Sequence, residues 1–178
     1  MWSLYLRSLL ILWFSLFLFS CGYSVYQRPL YLKEEWKTIY IPPWKNYSSE
    51  TSLGEYVAYA LRHKFAQGKF LVPVYDQTKA DLVLRGEVKK IYFDPVSYET
   101  FLITKERKIN FEGEYQLIEQ KTGKVLLKRT INRYEIYRVN QSEVVTFLDP
   151  GREEALKVLS QDLAELILQD IMFNELKL

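Results

Sequence analysis

At 178 residues the chain has room for one domain with a proper core and too little for two. Hydrophobic residues make up 48% and charged residues 26%, a composition that excludes wholesale disorder. The balance of 24 Lys and Arg against 22 Asp and Glu, a net charge of +2, indicates neither nucleic acid nor an acidic partner; electrostatic function must come from local clustering.

Cys21 is the only cysteine and His63 the only histidine. No intramolecular disulfide or thiolate zinc cluster can form, and any catalytic triad or His-based metal site would have to be built on His63 alone. We therefore expect no enzyme, no cofactor and no metal site. His63 falls off the apolar stripe of its helix, which makes it a solvated position.

The first 20 residues carry one charge, Arg7, followed by the apolar run from Leu9 to Phe19. This is the layout of a secretory signal. Leu18, Ser20, Cys21 and Gly22 then resemble the lipobox of bacterial lipoproteins, from which Phe19 departs. An uncleaved membrane helix is the alternative, since the uncharged stretch between Arg7 and Arg28 is about 20 residues, enough to span a bilayer. Its last part, Cys21-Gly22-Tyr23-Ser24, is not lipid-like, and favours a lipid-bearing Cys21. The reading is a signal peptide over 1–20, a lipidated tether over 21–36 and one domain over 37–178. Two or three acyl chains would hold such a protein firmly at a membrane. The absence of Asp after Cys21 favours the outer membrane.

In the domain, Thr38-Ile39-Tyr40-Ile41 predicts a short strand stopped by Pro42 and Pro43. Ser52 and Glu55 have the spacing of a capping box, and Leu53, Tyr56, Val57, Ala60, Leu61 and Phe65 the spacing of a helix, with Gly68 placed to cap its end. Residues 70–75 predict an edge strand interrupted by Pro73. Residues 81–93 and 109–117 alternate as strands, and the Lys121 to Lys124 stretch as a hairpin turn leads into a third at 125–137. The pattern of this third strand slips near Arg129 to Asn132, as a bulge would cause. Asp149 and Pro150 open a last helix whose stripe is Leu156, Leu159, Leu163, Leu166, Ile167 and Ile171. The order β-α-β-β-β-β-α predicts an α+β fold, two helices packed on one face of a mostly antiparallel four-stranded sheet with 70–75 as a candidate extra edge strand.

Three segments together resemble a family. They are Cys21-Gly22-Tyr23, the run from Ile39 through Pro42, Pro43, Trp44 and Asn46 to Glu50, and Ala80-Asp81-Leu82-Val83-Leu84-Arg85-Gly86. Their order and spacing resemble the lipopolysaccharide-assembly lipoprotein family, LptE. The resemblance implies a non-enzymatic outer-membrane lipoprotein that binds lipopolysaccharide and plugs or supports a β-barrel partner, an LptD-like protein. It also implies two helices on a four-stranded sheet. The sequence resembles less closely the lipoproteins that activate cell-wall synthases or form curli secretion pores; those keep a helix between later strands, where this chain has a meander.

For the ligand, basic residues are the candidates, because Arg forks and Lys ammonium groups hold phosphates well. Lys105, Arg107 and Lys108 cluster where the first long hairpin turns, and Arg138 and Arg152 flank the loop into the last helix. Tyr92, Phe93, Tyr98 and Phe101 concentrate near the same end, as a surface pressed against acyl chains or a barrel lumen would require. Glu112 and Glu114, two apart on one strand face, read as a solvated face rather than a catalytic carboxylate pair.

Overall fold

A computed structural model of the chain describes residues 32–98, 104–139 and 149–173. The elements in order are β1 (Thr38–Tyr40), β2 (Lys45–Asn46), α1 (Leu53–Gly68), β3 (Val72–Val74), a 3-10 turn (Gln77–Lys79), β4 (Leu82–Tyr98), β5 (Thr104–Glu119), β6 (Val125–Arg138) and α2 (Pro150–Phe173). Cys21 and Phe101 lie outside the described residues.

The two-helix α+β class holds, but the four antiparallel strands do not. The sheet has six strands in the order β3-β1-β4-β5-β6, with β2 also along β4. Only β4, β5 and β6 form an antiparallel meander; β1 pairs parallel with β3 and β4, and β2 parallel with β4. The chain crosses from β1 to β3 through α1, and a crossover of that kind returns strands in parallel. Strands of two and three residues are too short to show an alternating pattern.

Both helices cover one face of the meander. Their Leu, Ile and Phe stripes meet Leu84, Val88, Ile109, Phe111, Tyr115 and Leu117 in one core that also takes in Leu32 and Trp36. The helices run in the same sense: the Tyr56 hydroxyl donates to Glu153 (3.0 Å) near their starts, and Lys64 pairs with Glu165 (2.6 Å) further along. Leu168 is fully buried in α2, whereas Leu166 is only half-buried.

Several local expectations are corrected. Ser52 makes no side-chain cap; its backbone carbonyl accepts from Glu55 and Tyr56 instead. Gly68 is the last helical residue, and Lys69 adopts the left-handed conformation (φ 57°) in which its amide reaches the Phe65 carbonyl. A side chain at 68 would press on the Phe70 ring at 3.0 Å, so the glycine serves packing rather than the turn. The slip in β6 is not a bulge, because register there is continuous and shifts only at Leu117 and Ile118. Arg129 and Arg133 occupy the helix-facing positions and pair with Asp170 (3.8 Å) and Asp162 (3.2 Å) of α2. The clean alternation expected of β4 is broken at Val88 to Lys90, where a bulge leaves both Lys89 and Lys90 exposed.

The edges are blunted. Pro73 removes a donor from β3, Pro95 and two further register shifts disrupt the far part of β4, and β6 carries Lys128, Arg129, Arg133 and Arg138.

Candidate functional site

The motif residues of the second and third segments that carried the resemblance turn out to hold the fold together. Trp44 is buried between the sheet and the start of α1, its ring stacked on Tyr115 at 6.5 Å. It lies directly on Gly86, where any side chain would enter the indole, and its carbonyl presses on Gly54. Asn46 organises the loop before α1: its amide donates to the Glu50 carbonyl (2.6 Å) and its carbonyl accepts from the Ser48 amide and hydroxyl. Asp81 ties β4 to β1 by accepting from the amides of Lys37 and Thr38 and from the Thr38 hydroxyl, at 2.8 to 2.9 Å. Burial opposes the Asp81 charge, yet those donors outweigh it and lower its pKa.

A site must therefore be sought elsewhere, and among the described residues no helix lies over one face of the meander. Register sets cross-strand rows on this open face toward the far end of the blade: Lys90–Glu112–Asn132, then Tyr92–Asn110–Tyr134, then Asp94–Lys108–Ile136, and finally Glu106–Arg138. Apolar groups stand out among them, with Tyr134 55% exposed, Ile136 45% and Tyr92 38%, and Val96 is exposed at the same end. Most charges nearer the helix-capped base are neutralised: Lys89 bridges Glu87 and Glu114, and Lys128 also reaches Glu114. The hydrogen bond from Lys89 lowers the Glu87 pKa. Among the described residues Lys90 and Lys108 make no ion pair; their ammonium groups rest over Tyr92 (4.7 Å) and Tyr134 (4.5 Å). Asp94, opposite Lys108, accepts instead from Asn110 at 2.8 Å.

The five basic residues singled out from sequence are not brought together. All of Lys105, Arg107 and Lys108 belong to β5 rather than to a turn, and the side chain of Lys105 is not among those described. Arg107 and Lys108 alternate between faces. Arg107 approaches Asp149 (3.8 Å), which also accepts from the Tyr137 hydroxyl at 2.8 Å. Burial, followed by that hydrogen bond, pushes the Tyr137 pKa up to about 12. Arg152 pairs with the sheltered Glu50 and lies over Phe93 at 4.3 Å, joining α2 to the loop before α1. Arg138 is exposed at the open-face end beside Glu106 (3.6 Å). Sequence reasoning missed Lys90, because strict alternation from Leu82 to Val88 would turn it toward the covered face.

His63 is exposed on α1, in a groove of about 910 Å³ between the outer faces of the helices. Glu112 is half-buried in the row with Lys90, and Glu114 is bracketed by lysines. Among the described residues no group of His, Cys, Asp and Glu gathers to hold a metal ion, and no helix is long and apolar enough to cross a membrane.

Among curated proteins none matches this sequence. Solved structures do. A protein from Xanthomonas campestris is 9% identical with a TM-score of 0.53, covering 77% of this chain and 84% of its own. PelC from Paraburkholderia phytofirmans, described as a dodecamer, is 15% identical with a TM-score of 0.51 over 78% of this chain and 90% of its own. The rare lipoprotein B from Shewanella oneidensis is 18% identical with a TM-score of 0.47 over 72% and 92%. At these identities the first two likenesses speak for the fold alone. The sequence itself is more specific, for residues 36–171, spanning the Trp44, Asn46, Asp81 and Gly86 framework, match the family model described as lipopolysaccharide-assembly, and the chain belongs to the LptE family.

Proposed function

We propose that this chain is a non-enzymatic outer-membrane lipoprotein, anchored through Cys21, that receives lipopolysaccharide on the far end of its open sheet face while supporting a β-barrel partner. Family membership supports a role in lipopolysaccharide assembly. The observation that carries the finer reading is the pairing, on the open face, of two lysines that form no ion pair among the described residues with the exposed side chains of Tyr92, Tyr134 and Ile136. Phosphates call for such cations and acyl chains for such apolar groups. Arg138, at the same end, is exposed but paired with Glu106. Arg107 and Arg152 are committed to Asp149 and Glu50, so their contribution is to hold α2 against the blade. Tyr59, Val72 and Tyr75, exposed around the end of α1, offer a separate surface to the barrel.

The full chain should bind lipopolysaccharide and co-isolate with a β-barrel from native outer membranes. Metabolic labelling with a fatty acid should mark the wild type and not Cys21→Ser. A wild-type chain that shows no lipopolysaccharide binding would overturn the reading in favour of a lipoprotein that activates a cell-wall enzyme.

A further inference from the structure

We propose that β6 is a dimerisation edge, to which the β6 strand of a second copy of this chain adds antiparallel about a two-fold axis through Asn132. β6 ends the sheet, runs 14 residues without a proline and is bonded to β5 along its inner side. Among the described residues no strand pairs with its outer side. The opposite edge offers only the three residues of β3, Pro73 among them. A long unbroken edge presents a row of backbone donors and acceptors to an added strand. The cations of β6 turn most strands away, so a strand that fits must set acidic or apolar groups opposite them. A second β6 does so.

Two sheets joined this way keep their covered and open faces only if opposed residues share parity. With Asn132 opposite itself, the pairing runs from Leu127 to Tyr137. On the helix-facing side it sets Arg129 against Glu135, Leu127 against Tyr137 and Ile131 against Arg133; on the open side it sets Thr130 against Tyr134 and Lys128 against Ile136. No cation meets a cation. The neighbouring registers fail: an axis through Ile131 sets Arg129 against Arg133, and one through Arg133 sets that residue against itself and Lys128 against Arg138. Glu135 is the residue that asks for the partner. It is half-buried and makes no ion pair among the described residues, and burial together with Asp162 raises its pKa. A groove of about 400 Å³ receives what lies opposite it, lined by Glu135, Tyr137 and Arg138 of β6 and Glu154, Ala155 and Val158 of α2. No residue of β5 lines that groove, so it opens on the outer side of β6. The two-fold axis brings Arg129 of the second copy to it; in its own chain that side chain is half exposed and only 3.8 Å from Asp170. The exchange occurs twice, once in each direction.

The test is disulfide trapping in the purified full chain in mild detergent, with the wild type, whose one cysteine is Cys21, as background. Directly opposed residues of antiparallel strands have Cα atoms about 4.5–5.5 Å apart, within the range a disulfide spans. Asn132→Cys, at the axis, should link to itself under mild oxidation, whereas Val125→Cys, at the end of the strand, should link no more than the wild type. Thr130→Cys/Tyr134→Cys should link while neither single change does, which fixes the register. Glu135→Arg sets a cation against Arg129 and should weaken self-association about tenfold or more by sedimentation, with an unchanged far-ultraviolet spectrum. A chain that stays monomeric at every concentration would overturn the proposal. So would equal trapping of Val125→Cys and Asn132→Cys, or trapping of Asn132→Cys that Glu135→Arg leaves unchanged. In native membranes, linkage of Asn132→Cys to a different protein in place of its own copy would give the edge to that protein and overturn the dimer.

Discussion

The two faces of the meander carry the same residue types and use them in opposite ways. On the covered face, Arg129 and Arg133 stand on β6 at helix-facing positions and each finds an aspartate on α2. On the open face, Lys90 and Lys108 stand across from Glu112 and Asp94 in the register but fold over tyrosine rings, without an ion pair among the described residues. Tyrosine divides in the same manner. Tyr115, on the covered face, is buried with its hydroxyl bonded to Asp170, and its pKa is raised by burial first and that bond second. Tyr134 presents its ring to solvent. A strand alternates faces at every residue, so position parity decides whether a cation or a ring meets the helices or stands on the open face.

The change with the largest expected effect breaks the covered side at its centre. Trp44→Ala removes the ring that stacks on Tyr115 and fills the space over Gly86, and should cost about 3–5 kcal/mol, measured by denaturant unfolding. An effect below about 1 kcal/mol would mean that this motif residue is not a core element.

Asp170→Ala sharpens the comparison. It strands the Tyr115 hydroxyl and leaves Arg129 without its partner, with an expected loss of about 1–3 kcal/mol and no change in ligand affinity. Altered affinity with intact stability would move the ligand to the covered face.

A smaller effect is expected at high pH. Tyr137 has its pKa raised from 10.0 to about 12 in the folded chain, by burial and by the Asp149 acceptor. Its contribution is therefore complete below pH 10 and is lost as pH rises toward 12. The difference in melting temperature between wild type and Tyr137→Phe should shrink over that interval. A difference that stays constant would show that Asp149 does not hold this phenol neutral.

How much of this was legible in the sequence follows from the length of each signal. The meander and both helices were legible because 14 to 24 residues each repeat their period several times. The parallel pairing of β1, β2 and β3 was not, since two or three residues carry no period and pairing partners lie far along the chain. The slip near Arg129 to Asn132 read as a bulge because an arginine such as Arg129, at a helix-facing position, breaks the apolar pattern when its aspartate lies on another element. The basic cluster of Lys105, Arg107 and Lys108 misled in a related way. Adjacent cations on a strand point to opposite faces, and only pairing partners such as Asp149 and Tyr134 reveal which is committed to the fold. The bulge at Val88 to Lys90 resets the parity of β4, which is why Lys90 could not be placed from sequence alone.

The central claim is that the open face meets the ligand and the covered face holds the fold. It is tested most directly by measuring lipopolysaccharide affinity and melting temperature together in two double variants, Lys90→Gln/Lys108→Gln and Arg129→Gln/Arg133→Gln. The lysine pair should lose affinity about tenfold or more and change stability by less than about 0.5 kcal/mol per site; the arginine pair should melt earlier and keep wild-type affinity. Unchanged affinity in the lysine pair, or a loss of affinity in a well-folded arginine pair, would contradict the account.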